Sequence, residues 1–367
     1  MNPPRTLITP AAAITLLALA TAAIAHPDHG PAVAGAATAV VAATAAVAEA
    51  GPDATTGSGD LRFRYRADLS QLPGAINASI ERAHGGFAKA PDGSLYFGLK
   101  GVGVVRVSAD LREKTVVAGD QAMQHAGLHN TTYVDRDGGL LVLPDNEQAK
   151  VYVLKTDGSK VGELGRPAVN DYYRDDSNPY RPTDTDVGTD GTLYVCDGYS
   201  PGKYVVTADL GGLAYNDFFF GGAVSGPGRE EGRFSTNHGV TRAPSEDALV
   251  IADRERQWLQ KVTPKGDFIE GYDTAGGDVC DVDFVDFGGQ QLMVAGCLKS
   301  EGGQGPGFVA ILKDGEVASV LRPKLDLGLE QFQHIHNAVG VVVDGKLFVL
   351  CYGWNPGCYA VLEHVAQ

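Results

Sequence analysis

A short unit recurs along this chain and limits what it can fold into. The clearest copy runs from Phe234 to Lys261. It starts at His238, turns at Pro244-Ser245-Glu246-Asp247, and continues as an apolar run, Ala248 to Ala252. The charged corner Asp253-Arg254-Glu255-Arg256 and a further apolar run follow. Other copies start at His84, His129, Pro182-Thr183-Asp184, Asp278-Val279-Cys280 and His336. Their turns are Pro91-Asp92-Gly93, Asp137-Gly138-Gly139, Asp190-Gly191, Gly288-Gly289 and Asp344-Gly345. An Asp-Gly or equivalent turn between apolar runs marks a hairpin. Units repeating at roughly 40–58 residues mark stacked or radial β-architecture.

Six such units predict an all-β chain folded as a six-bladed β-propeller. The last unit runs out after three strands. The alternating run Leu61–Leu69 stands alone near the other end and is assigned as the missing fourth strand, which closes the ring. The 48 Gly and 19 Pro, with only 20% charged residues, suit many short strands joined by tight turns. No amphipathic helix of any length interrupts the units.

Ahead of the propeller (61–367), residues 1–25 read as a signal peptide. Arg5 supplies the basic region, Ile14 to Ala20 the apolar region, and Ala23-Ile24-Ala25 the cleavage site. Export to the periplasm or the extracellular space follows, without stable membrane insertion. Residues 26–60 read as a flexible Ala/Gly-rich spacer. Export permits disulfides among Cys196, Cys280, Cys297, Cys351 and Cys358. Cys351 with Cys358 and Cys280 with Cys297 are candidate pairs, leaving Cys196 over. The formal net charge of −15 argues against a nucleic-acid partner, since phosphate binding needs a basic surface. The chain is expected to be a monomer.

In a propeller the innermost strands line a central channel, and alternate blades of six are about 120° apart. His129, His238 and His336 open units two, four and six, so three imidazoles would converge at one mouth. Three protein nitrogens with open positions suit a catalytic zinc; three separate water-bonded side chains are the bland alternative. His84 departs from that triangle and reads as a bystander. His334, two residues before His336, should point elsewhere. Tyr199, Arg254 and Lys100 end the second strands of units three, four and one, on the same rim. Tyr199 there either reaches the channel or packs on a neighbouring blade.

These residues resemble the peptidyl-α-hydroxyglycine α-amidating lyase family, the lyase domain of peptidylglycine α-amidating monooxygenase, built from NHL repeats. The similarity spans roughly residues 86–362 and rests on PTD…LYVCDGY (Pro182–Tyr199), GPG…RFSTNHGV (Gly226–Val240), IADRERQWLQ (Ile251–Gln260) and LRP…FQHIHN (Leu321–Asn337). It implies a zinc-dependent lyase that cleaves a peptidyl-α-hydroxyglycine to an amide and glyoxylate. By position it implies zinc on His129, His238 and His336, Tyr199 as catalytic base, and Arg254 as active-site arginine. It also implies a structural calcium in the channel. Lys100 stands where the family has an arginine; it keeps the charge but loses the bidentate fork for a substrate carboxylate. Asn337 stands where the family has a calcium-binding aspartate, beside the backbone carbonyls of Phe87 and Thr131. Two rival readings are a non-catalytic propeller that binds a peptide or glycan, and a metal-dependent lactonase using Asp184, Asp278 and Asp281.

Overall fold

A computed structural model describes residues 54–119, 121–300 and 304–366. The expected signal peptide and most of the expected spacer lie outside the described residues. Among the described residues no helix is long and apolar enough to cross a membrane.

The strands form six antiparallel sheets, one per repeat unit, in a six-bladed propeller. The innermost strands are Phe87–Lys89, Thr132–Val134, Asp184–Val187, Asn237–Arg242, Val279–Phe287 and Asn337–Val343. Each contacts the next, and the last contacts the first, so the ring is closed. Hairpin chemistry sets the register. Asp344 and Gly345 have φ of 50° and 76°, both positive, as a two-residue turn between twisted strands requires.

The core is divided among the blades. Six apolar clusters occupy the six interfaces between neighbouring blades. The second strand of blade two, Leu140–Asp145, shows how. Leu140 and Val142 pack toward blade three, while Leu141 and Leu143 pack toward blade one. Successive strand residues face opposite ways, so a strand sandwiched between two blades is apolar at every position. This is why the second-strand runs (LYFGL, LLVL, LYVC, LVIA, LMVA and LFVLC) read as continuous rather than alternating.

The chain ends meet in blade six. Leu61–Tyr65 pairs with Cys358–His364, with Phe63 opposite His364 and Tyr65 opposite Leu362. Glu363, 1% exposed, ties this seam to Arg64, Arg66 and Lys346 at 2.6, 3.0 and 2.9 Å. Burial alone would raise its pKa; the three cations outweigh burial and hold the carboxyl at about 2.

Two expectations are corrected. Thr55–Ser58, placed in the spacer, is a fifth strand of blade six against Leu61–Tyr65. It reaches the neighbouring blade, where the Ser58 N–H donates to the Ser319 hydroxyl at 2.9 Å. All five cysteines are buried free thiols, so neither disulfide exists. Cys351 lies opposite Ala360, and Cys358 opposite Gly353, two positions out of register for a cross-strand bridge.

Candidate active site and channel

One end of the channel carries histidines, and the backbone aims them. The imidazole of His129 is bonded through Nδ1 to the Thr183 carbonyl, at 2.5 Å. That of His238 is bonded through Nδ1 to the Cys280 carbonyl, at 2.8 Å. A ring nitrogen facing a carbonyl carries the proton, so each Nε2 presents a lone pair to the axis. The same arrangement holds metal-binding histidines in orientation elsewhere. Both rings and His336 are fully buried. Centroid separations are 4.7 Å for His129–His238, 4.8 Å for His238–His336 and 5.2 Å for His129–His336.

His84 belongs to this cluster, contrary to its reading as a bystander. Its ring lies 4.2 Å from His336 and 4.6 Å from His129. The 120° argument fails here because rings reaching the axis meet rings from every blade, not only alternate ones. His84 precedes its inner strand by three residues, as His129 does, so the two hold corresponding positions in blades one and two. The donor atom of His84 lies within 4.8 Å of those of His129 and His336, and the donors of His238, Cys280 and His336 form a second such group. His334 stacks on Trp354 at 5.4 Å, outside the cluster.

Tyr199 caps the histidines. Its hydroxyl oxygen is 2.7 Å from His238 Nε2, 3.1 Å from His129 Nε2 and 3.3 Å from His84 Nε2. Of the two readings of Tyr199, the structure places it at the channel. The turn that delivers it is fastened by Asp197, which accepts the Arg181 N–H at 2.7 Å, the Tyr173 hydroxyl at 2.8 Å and the Ser200 hydroxyl. Burial holds the Asp197 carboxyl up at about 6. Gly198 allows close passage, since a Cβ there would meet the Asn237 carbonyl at 2.5 Å.

Arg254 approaches from blade four. It is 4% exposed, its Nη1 is 3.4 Å from the Tyr199 hydroxyl, and its guanidinium lies over the Tyr199 ring at 5.5 Å. Glu255 fixes the other edge at 2.6 and 2.9 Å. Burial first, then the charge of Arg254, pushes the His238 pKa well below its usual value, so this imidazole is neutral. Lys100 does not join the cluster. Its ammonium pairs with Glu147 at 2.5 Å on the exposed rim.

Below the histidines the channel changes character. A cavity of about 250 Å³ is lined by Phe87, Thr131 and Asn337, and also by Asp184, Asp186, Asp281 and Asp283. These carboxylates stitch blades together. Asp184 accepts the Val240 N–H at 2.7 Å, and Asp283 accepts the Gly340 N–H at 2.9 Å. Asp281 accepts the Asn337 amide at 3.0 Å, and Lys89 pairs with Asp283 at 2.7 Å. Burial pushes Asp184 and Asp281 upward, and the charge of Asp281 raises Asp184 further. Asp278 stays outside the cavity lining, bound to Gln257 at 2.9 Å.

The two ends therefore offer different donors. The mouth has imidazoles and one thiol, which suit a borderline ion such as zinc. Two lone pairs, on His129 and His238, face one phenol oxygen that has a single proton to give, and a cation would relieve that mismatch. Beside the cations Lys89 and Arg242, the lower channel offers oxygens and amides, which suit calcium.

No family model and no curated sequence matches the chain. Among solved structures, a catalytically inactive virginiamycin B lyase from Staphylococcus aureus with quinupristin is 10% identical, at TM-score 0.49. It covers 83% of this chain and 99% of that chain. A streptogramin B lyase is 11% identical at TM-score 0.47, covering 84% of this chain and 97% of that chain. The fold assignment rests on this chain's own strand order.

Proposed function

We propose that this protein is an exported, zinc-dependent lyase that cleaves a peptidyl-α-hydroxyglycine-like carbinolamide to an amide and glyoxylate. The observation that carries the reading is the Tyr199 hydroxyl, within 2.7–3.3 Å of three imidazole nitrogens and 3.4 Å from Arg254. The sequence resemblance supplies the substrate class. His129, His238 and His336 would hold the ion, with His84 beside them, and the ion would supply Lewis-acid polarisation of the substrate hydroxyl.

The chain's own residues account for the rest. Tyr199 Oη takes the hydroxyl proton, and the Arg254 guanidinium stabilises the negative charge the phenol carries before it does so. As the O–H pair becomes the second bond of the new aldehyde, the C–N bond breaks and its electrons go to nitrogen. The proton on Tyr199 returns to that nitrogen, giving amide and glyoxylate with nothing gained or lost. Arg254 is also the cation placed to hold the substrate carboxylate; Lys100 is committed to Glu147. The oxygen-lined channel would hold a calcium ion that braces the inner strands, with Asn337 and the carbonyls of Phe87 and Thr131 among its donors.

Glyoxylate release from a synthetic peptidyl-α-hydroxyglycine by the zinc-loaded full-length protein tests the reading. Release that stops on chelation and returns with zinc is expected. Binding of the peptide without glyoxylate, by protein carrying stoichiometric zinc, would instead make the propeller a recognition module.

A further inference from the structure

The channel mouth is a ring of corresponding positions, one per blade. His129 of blade two bonds the carbonyl of Thr183 in blade three, and His238 of blade four bonds the carbonyl of Cys280 in blade five. The same ring-to-carbonyl step between neighbouring blades makes Thr183 and Cys280 equivalent positions. With His84 and His336 they complete the set. At blade three the side chain turns back, the Thr183 hydroxyl donating to the Asn237 carbonyl at 3.1 Å. At blade five it turns inward.

The register shows why. In blades four and five the pairing between the first two strands shifts once, between Asn237 and Gly239 and between Val279 and Asp281. His238 and Cys280 are the extra residues. A bulge re-aims the residue it adds, and bulges cluster next to active sites. The Cys280 thiol consequently lies with the His238 and His336 nitrogens, all three donor atoms within 4.8 Å of one another. Its chemistry also differs from that of the other cysteines. Cys196, Cys297, Cys351 and Cys358 all pack in the apolar clusters between blades, whereas Cys280, equally buried, belongs to none of them.

We propose that Cys280 is a ligand of the ion at the channel mouth, together with His238 and His336. This rests on the metal-centre reading above and changes its donor set from nitrogen alone to nitrogen and sulfur. Donor atoms of a tetrahedral zinc site lie about 3.5 Å apart, so a group already within 4.8 Å need contract by no more than about 1 Å on loading. A thiolate selects zinc and its softer neighbours over calcium or magnesium. It also places one negative charge on the ion, which moderates its pull on substrate oxygen.

The test loads the metal-free, full-length protein with cobalt(II) alone and records its absorption. The expected result is visible cobalt bands plus a sulfur-to-cobalt charge-transfer band in the near ultraviolet. That band should vanish in Cys280→Ser while the visible bands stay, and should persist in Cys297→Ser. Visible bands without the sulfur band in the wild type, or a sulfur band unchanged in Cys280→Ser, would overturn the proposal and leave a histidine centre standing. No cobalt uptake at all would overturn the metal centre itself. X-ray absorption of the zinc-loaded wild type gives a second readout that needs no variant. A sulfur scatterer at about 2.3 Å beside nitrogens at about 2.0–2.1 Å supports the proposal, and nitrogen alone refutes it.

Discussion

The mouth of the channel and the stretch beneath it are built from the same six strands, often from residues one to three apart. His336 belongs to the mouth and Asn337 to the lower channel; His238 and Thr241, or Cys280 and Asp281, divide the same way. Yet the two regions are held differently. At the mouth, side chains meet across the axis and converge on one phenol oxygen. Below it, carboxylates reach sideways to the backbone of the next blade. The first arrangement leaves lone pairs aimed at a shared point, as chemistry on a ligand requires. The second spends its polar atoms on joining blades, as stability requires. The proposed chemistry and the bracing thus fall on neighbouring residues of the same strands.

Substitutions that act on one region and not the other should break or sharpen that division. The largest effect is expected for Tyr199→Phe. Losing a general base typically costs about 10²–10⁴-fold in rate. Turnover should fall by that much while bound zinc and melting temperature hold. A variant with near-normal kcat would make Tyr199 a packing residue. Arg254→Lys comes next. It keeps the charge but loses the fork over the phenol and the substrate carboxylate, and a charge-assisted hydrogen bond contributes about 1.5–3 kcal/mol. We expect kcat/KM to drop about ten- to a hundredfold, again without loss of metal.

The lower channel should answer to pH rather than to turnover. Burial raises the pKa values of Asp184 and Asp281 in the folded protein, helped at Asp184 by the charge of Asp281 and at Asp281 by the charges of Asp283 and Asp186. Carboxyls raised above their unfolded values favour the fold while protonated. Without a cation, that contribution is complete below the ordinary carboxylate range and is lost as pH climbs through the raised values. Thermal melts of calcium-free protein should therefore fall from acid toward neutral pH, and calcium should restore them. Asp281→Asn should flatten that slope, raising the melting temperature near pH 8 by about 1–3 °C. A slope unchanged by the substitution would remove the lower channel's role. The smallest effect belongs to the rim: Lys100→Arg should leave KM unchanged, because the residue serves Glu147. A clear fall in KM would return Lys100 to the substrate.

Much of this was legible in the sequence because blades are made by local rules. Hairpin turns such as Asp344-Gly345 and the doubly buried second strands announce themselves over a few residues, so six blades and closure by the run from Leu61 could be read directly, although the strand ends at Tyr65 and not at Leu69. Convergence at the axis is a different matter. It depends on how far a side chain reaches from a strand start: counting alternate blades leaves out His84, although it stands as far ahead of its strand as His129, and Cys280, the extra residue of a bulge, gives no signal of its reach. Lys100 misled in the opposite direction: a cation at the right strand end was captured by a neighbouring carboxylate contributed by another blade. Thr55–Ser58 was hidden by its composition, since Thr-Thr-Gly-Ser reads as linker until Leu61–Tyr65 offers it an edge.

The central claim is that the imidazole mouth is a metal centre. Elemental analysis of the full-length protein, purified with zinc present and then dialysed, tests it most directly. The account predicts about one zinc ion per chain, falling to a small fraction in His238→Ala while the melting transition persists. Protein that is folded yet carries no stoichiometric zinc, or a His238→Ala variant that keeps it, would contradict the account.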